Sequence, residues 1–142
     1  VNDLFCRGKK ISGILTEAVV REGKPAGIIV GTGINLATPP ELLPAKVAGS
    51  LREDLLPWAS RNEVAAAMVR DTLPELVRSR SFLPEYRRRS ILLGRPVRVL
   101  PVGQEPYEAT AESIDEEAAL VVDCQGRKIR LQTGEVSIRV FE

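Results

Sequence analysis

The order of apolar and polar positions divides the chain into a strand-rich opening, a helical middle and a strand-rich end. Two opening runs, VNDLFCRGKKISGILTEAVV and AGIIVGTGINLA, are rich in Ile, Val, Leu and Thr and are separated by the turn-forming stretch Arg21 to Pro25. They read as two neighbouring strands of one sheet. Alternation along the first predicts Lys10, Ser12, Ile14 and Thr16 on one side, with Ile11, Gly13, Leu15 and Glu17 on the other. Pro39, Pro40 and Pro44 cannot continue a sheet and predict a loop from Leu36 to Pro44. Apolar residues at helical spacing then predict helices over 47–56 and 62–80, the second with Val64, Met68, Leu73, Leu76 and Val77 in one buried stripe. Asn62 is the expected N-cap with Glu63 in the first turn, and Pro74 is expected to kink or end the helix near Thr72. Trp58 is expected in the core.

After Leu93 the period shortens. Val97 to Val102, Tyr107 to Ile114, Ala119 to Val122, Lys128 to Leu131 and Val136 to Val140 are short β-branched runs broken at Gly103, Asp115, Gly126 and Gly134. That spacing predicts a small antiparallel barrel or sandwich. A boundary near Leu92 and Leu93 gives two domains, 1–92 and 93–142, and an α+β fold class.

Charge adds detail to this division. Arg78 to Arg98 contains seven arginines against one acid, Glu85, a run that reads first as a solvated helix face. Val102 to Gly126 holds seven acids and no base, which predicts an acidic face on the following strands. The whole chain of 142 residues carries a net charge of only +1, so general affinity for nucleic acid or membranes is not expected. With 44% hydrophobic and 27% charged residues, no apolar run of membrane-spanning length and no signal segment, a cytoplasmic globular protein is expected. Cys6 and Cys124 have no partner at metal-ligand spacing and read as free thiols. Histidine is absent, which excludes Ser-His-Asp and Cys-His catalysis within this chain.

Candidate chemistry sits in the opening runs. A glycine inside a strand marks a bulge or the close approach of a ligand, and Gly13 is such a gap, with Lys10 and Asp3 bordering it. In GTGIN, Gly31 and Gly33 flank a threonine, so backbone N–H groups can meet an anion and Asn35 can offer its amide.

Together, NDLFCRGKKISGILTE and IIVGTGINLATPP resemble the second half of the catalytic domain of biotin protein ligases. That family runs Trp-Pro-Asn-Asp-Leu, then Lys-Leu/Ile-Ala/Ser-Gly-Ile/Leu-Leu, then Gly-Ile/Thr-Gly-Ile/Val-Asn. LLGRPVRVL, YEATAESIDEEAALVV and TGEVSIRV resemble the family's small SH3-like C-terminal domain. The resemblance implies part of a class II synthetase-like mixed sheet followed by an SH3-like barrel. Here the chain opens at Val1, where the family has Trp-Pro, and the family's Gly-Arg-rich adenylate loop would lie upstream. Where the family carries Ala-Thr-Ser-Leu, this chain has Ala48, Gly49, Ser50 and Leu51.

By resemblance, biotin is activated with ATP and Mg²⁺ to biotinyl-5′-AMP and passed to a lysine of a biotin carboxyl carrier protein. Lys10 and Asp3 are the implied catalytic residues. Asn2, Lys10, Gly13, Ile14, Gly31, Gly33 and Asn35 are the implied biotin and adenylate contacts, with Asn35 also a candidate toward the metal. Arg98, Glu135 and Arg139 are implied to face ATP or the carrier, and Glu135 alternatively holds the domain interface. A homodimer is left open. A non-enzymatic SH3-like binding or regulatory module, and a lipoate-type ligase, remain as alternative readings.

Overall fold

The computed structural model of the chain describes residues 2–43, 47–77, 82–131 and 136–140. The chain divides into two compact units, Val1–Val69 and Arg70–Glu142.

The first unit is built on a three-stranded antiparallel sheet, β1 (Asp3–Cys6), β2 (Lys9–Arg21) and β3 (Lys24–Ile34), in that order. The first apolar run is therefore two strands, not one. Arg7 and Gly8 take φ of 49° and 76°, and Glu22 and Gly23 take 49° and 74°, so each hairpin closes through two residues in the left-handed region. Turns of that hand match the twist of the flanking strands, and glycine in second place makes them cheap. Every strand pairing in this sheet is antiparallel, so the expected mixed sheet reduces to one isolated parallel bridge, Lys10 to Ala48.

After β3 the proline-rich segment forms the expected loop, with a single 3-10 turn at Pro40–Leu42. The helix expected over 47–56 is not formed. Its backbone is spent elsewhere: the Lys10 N–H donates to the Val47 carbonyl, the Gly49 N–H to Lys10, and the Leu51 N–H to Asn35. Trp58, expected in the core, is 67% exposed.

Helix α1 spans Arg61–Val77 and crosses the unit boundary. Its cap is Ser60, two residues before the expected Asn62. The Glu63 N–H donates to Ser60 Oγ at 3.2 Å, and Glu63 Oε2 accepts from the Ser60 N–H at 2.7 Å. This reciprocal Ser-x-x-Glu box satisfies two orphan donors of the first turn. These bonds from Ser60 hold the Glu63 carboxyl below its usual value. Ser60→Ala is expected to destabilise the helix start by about 1 kcal/mol, read as a lower thermal midpoint. Glu63's share is present above its unfolded carboxylate pKa and lost as pH falls through the depressed folded value, so the gap between wild type and variant should narrow in acid. Pro74 lies inside the helix and does not end it near Thr72. Of the expected stripe, Val64 and Met68 are half-buried while Leu73 is exposed; the side chains of Leu76 and Val77 lie outside the described residues.

The second unit contains α2 (Leu83–Arg89) and a five-stranded antiparallel sheet of β4 (Pro96–Pro101), β5 (Tyr107–Ile114), β6 (Leu120–Cys124), β7 (Arg127–Leu131) and β8 (Val136–Val140). Strand order is β7-β6-β5-β4-β8; among the described residues β7 and β8 are edges, so the expected barrel is an open sheet here. Alternation fills its core: Val97 and Val99 from β4, Ala109 and Ala111 from β5, Leu120 and Val122 from β6. In β5 the register shifts between Ala111 and Ser113, which carries Ile114 rather than Ser113 into that core. Leu83 of α2 is buried with these residues, and Tyr86, Leu92 and Leu93 pack against them. Packing thus joins α2 to the sheet, although the change in sequence period falls at Leu93.

Part of the expected acidic face is paired by β7. Lys128 pairs with Glu112 at 2.5 Å, and Arg130 pairs with Asp115 and Glu117. Arg130, together with the Ala119 N–H, holds the Asp115 carboxyl below its usual value. On α2, Arg88 and Arg89 pair with Glu85 and stay exposed, as a solvated face requires; they depress the Glu85 carboxyl to about 2. Arg87 instead donates to the Ile114 carbonyl at 2.8 Å and pairs with Glu116, fastening the helix to the sheet. Arg78 and Arg80 lie outside the described residues.

Candidate functional site

Regular alternation would point Lys10 away from Gly13. The structure places them together through a bulge: Leu4 pairs with Ser12 but Phe5 pairs with Lys10, so Ile11 is one residue too many on β2. A bulge re-aims the side chains on one flank of it. Lys10 Nζ consequently meets Asp3 Oδ1 at 2.6 Å, from β2 to β1. Both side chains are partly exposed, at 41% and 32%, so the pair contributes little to stability. An ammonium has three donors, and one contact to Asp3 leaves two for an anion.

Beside this pair the sheet is bare at Gly13 and Gly33, with Leu15 the next side chain of β2 on the same face. Asp3, Gly13 and Gly33 are register partners across β1, β2 and β3, and partners directly opposite share a face. Gly31, opposite Leu15, continues that face. A Cβ on Gly13 would stand 3.5 Å from Asp3 Oδ1 and 3.7 Å from Lys10 Nζ. The result is a shallow notch floored by glycine backbone and edged by one cation and one carboxylate.

Asn35 follows β3, and its N–H donates to the carbonyl of the bulged Ile11 at 2.8 Å. Its side-chain amide donates to the Gly49 carbonyl at 3.0 Å, which leaves Oδ1 for a ligand. The Gly49 N–H donates to the Lys10 carbonyl, so one residue is bonded to both Lys10 and Asn35. Asn2 is bonded to Ile14 twice, its amide donating to the Ile14 carbonyl at 2.7 Å and its carbonyl accepting from the Ile14 N–H. Ile14 pairs with Thr32 one step from Gly13, so its side chain is on the face away from the notch.

In the second unit Arg98 is exposed on β4 and is the register partner of Glu108 on β5 and Arg139 on β8. Glu135 lies outside the described residues. Ala48 and Gly49, singled out in the sequence only as standing at the family's Ala-Thr-Ser-Leu, were given no role there; a loop residue that bridges to a strand leaves no periodic signature.

The fold defines a class: two antiparallel sheets with few helices, in the arrangement found toward the C-terminus of biotin protein ligases. Biotin protein ligase from Aquifex aeolicus superposes with a TM-score of 0.79 at 24% identity, over 99% of this chain and 63% of that one. The same ligase in complex with biotin and ATP superposes at 0.74 with 23% identity, over 99% and 60%. At these identities the likeness is one of fold.

Sequence supplies the rest. Residues 92–139 match the biotin protein ligase C terminal domain family. Over 140 residues the chain is 32% identical to the biotin–(acetyl-CoA-carboxylase) ligase of Mycobacterium tuberculosis, covering 95% of this chain and 50% of that protein. It is 28% identical over 155 residues to the bifunctional ligase/repressor BirA of Escherichia coli, covering 99% and 46%. The chain spans about half the length of these relatives. Nearly the whole chain is thus similar to about half of a biotin protein ligase, and residues 92–139 to that family's C-terminal domain.

Proposed function

We propose that the chain supplies the C-terminal half of a biotin protein ligase site, which activates biotin with ATP and passes it to a carrier lysine. The observation that carries this reading is the Lys10–Asp3 pair over the glycine notch, with Lys10 and Asn35 both bonded to Gly49. In the first step a biotin carboxylate oxygen attacks the α-phosphorus of ATP, and pyrophosphate leaves with its bonding electrons. Two anions must meet, so a fixed cation lowers the barrier most. Lys10 is assigned to the biotin carboxylate and α-phosphate. The floor of Gly13, Gly31 and Gly33 admits the ligand backbone-close, and Asn35 Oδ1 and nearby N–H groups meet the nucleotide. In the second step the carrier's amine attacks the biotinyl carbonyl and AMP leaves; Asp3 is positioned to take the proton.

Mg²⁺ would be brought on the ATP phosphates, with Asn35 Oδ1 the single neutral oxygen assigned to it here. Arg98, Arg139 and Glu135 are assigned to ATP or to the carrier, a biotin carboxyl carrier protein, and the second unit to the family's SH3-like domain. A reducing, cytoplasmic setting fits the two free thiols, Cys6 and Cys124.

The site needs a further covering half. Ala48 and Ser12 are buried in the first unit, while Ile28, Ile29 and Val30 are 70%, 56% and 52% exposed on the two faces of β3. Apolar strands bare on both faces are normally covered by other elements. The test is pyrophosphate exchange by the ligase containing this chain together with its upstream half. Exchange should require biotin, and lipoate should not replace it; exchange supported by lipoate alone would move the protein to the lipoate branch. A chain that supports neither, yet binds a carrier protein, would be a binding module.

A further inference from the structure

We infer that Gly49, at the place where the family carries threonine, is a positioning residue for both Lys10 and Asn35 in this chain, and that the close approach of its segment to β2 depends on its having no side chain. The inference rests on the reading of Lys10 and Asn35 as ligand-facing.

The segment after the proline loop does not simply pass by β2. It is bonded on both sides of Lys10, which donates its N–H to Val47 and accepts from the Gly49 N–H, each at 2.8 Å. It then turns to accept the Asn35 side-chain amide at the Gly49 carbonyl and to donate the Leu51 N–H to the Asn35 carbonyl at 2.9 Å. Ser50 Oγ adds a long bond to the Leu36 carbonyl. Lys10 and Asn35, distant in sequence, are thus both tied to one short strap.

Lys10 needs this strap because of the bulge. A bulged strand loses regular ladder bonds at the extra residue. Lys10 stands next to that interruption, and the Val47 and Gly49 bonds fix its backbone from the other side. The strap must come very close to do so. A Cβ on Gly49 would stand 2.6 Å from Lys9 Cβ and 3.3 Å from its Cδ. The nearest obstruction is the Cβ rooted on β2, which cannot swing away as the tip of a long side chain would. At the spacing this chain adopts, a larger residue at 49 therefore shifts the strap away from β2, and with it the restraint on the Lys10 backbone and the Asn35 amide.

The test is a double-mutant cycle between positions 9 and 49 in the complete ligase. Gly49→Ala should lower the kcat of biotin-dependent pyrophosphate exchange by about tenfold or more, since small misplacements of a reacting group are costly. Its thermal midpoint should stay within a few degrees of wild type, because the strap buries little apolar surface. Lys9→Gly alone should keep activity within about threefold, and joined to Gly49→Ala it should recover most of the lost kcat by removing the obstructing Cβ. Hydrogen exchange at the Lys10 and Leu51 amides should quicken in Gly49→Ala and slow again in the double variant, whether or not the enzyme turns over.

Wild-type kcat and unchanged exchange in Gly49→Ala would overturn the inference, and so would a loss that Lys9→Gly fails to relieve. If instead Lys10→Ala left activity intact while the amides behaved as described, the strap would stand and the role assigned to Lys10 would fall.

Discussion

Replacing Lys10 by alanine in the complete ligase is expected to cut adenylate formation by about a hundredfold to a thousandfold, the range for removing one preorganised charge worth about 3–4 kcal/mol. The fold should survive. The Lys10–Asp3 pair is partly exposed, and such pairs contribute about 0–1 kcal/mol to stability. The loss should exceed that of a neutral deletion, because Asp3 would remain beside the notch and repel the incoming carboxylate and phosphate. Lys10→Arg should recover part of the rate: charge is kept, but a planar fork of donors cannot reach Asp3 and the phosphate oxygens with the geometry of a compact ammonium. Single-turnover formation of the adenylate is the measurement, with the thermal midpoint as control. A fall of less than tenfold would remove Lys10 from the chemistry.

Gly13→Val is expected to yield a more stable and nearly inactive protein. A glycine within a strand costs roughly 0.5–1 kcal/mol relative to alanine, and a β-branched residue suits the strand better still. The added Cβ is tolerated, since its neighbours Asp3 Oδ1 and Lys10 Nζ would lie at 3.5 and 3.7 Å. The two methyls beyond it, however, would occupy the notch between Asp3, Lys10 and Gly33. Adenylate formation should fall by about a hundredfold, mostly through weaker binding of biotin, while the melting temperature holds or rises, as where stability is exchanged against function. Gly13→Ala should lie between. Biotin binding by the Gly13→Val variant within about threefold of wild type would show that ligand does not approach this part of β2.

Much of the second unit was legible because its determinants are local. Tyr107 to Ile114 and Val136 to Val140 were bounded as the structure bounds them, since alternation and glycine-bearing turns act over a few residues. The capping box at Ser60 and Glu63 was equally local and was passed over in favour of Asn62. In contrast, the segment 47–56 carries a helical spacing that loses to four hydrogen bonds with β2 and Asn35, which no local pattern announces. Trp58 fails for a related reason: its size favours burial, but among the described residues it is left mostly exposed.

The amino-acid order by itself determined which residue types are present, where the strands of the second unit run, and that a carboxylate, a cation and a glycine stand close in sequence, with two further glycines on the next strand. Tertiary structure decided which of them meet. Simple alternation separates Lys10 from Gly13, and only the pairing of β1 with β2 creates the one-residue bulge that brings them to a common face. Facing in a sheet depends on register, register depends on a partner strand, and the partner is chosen by contacts that no stretch of the strand encodes alone.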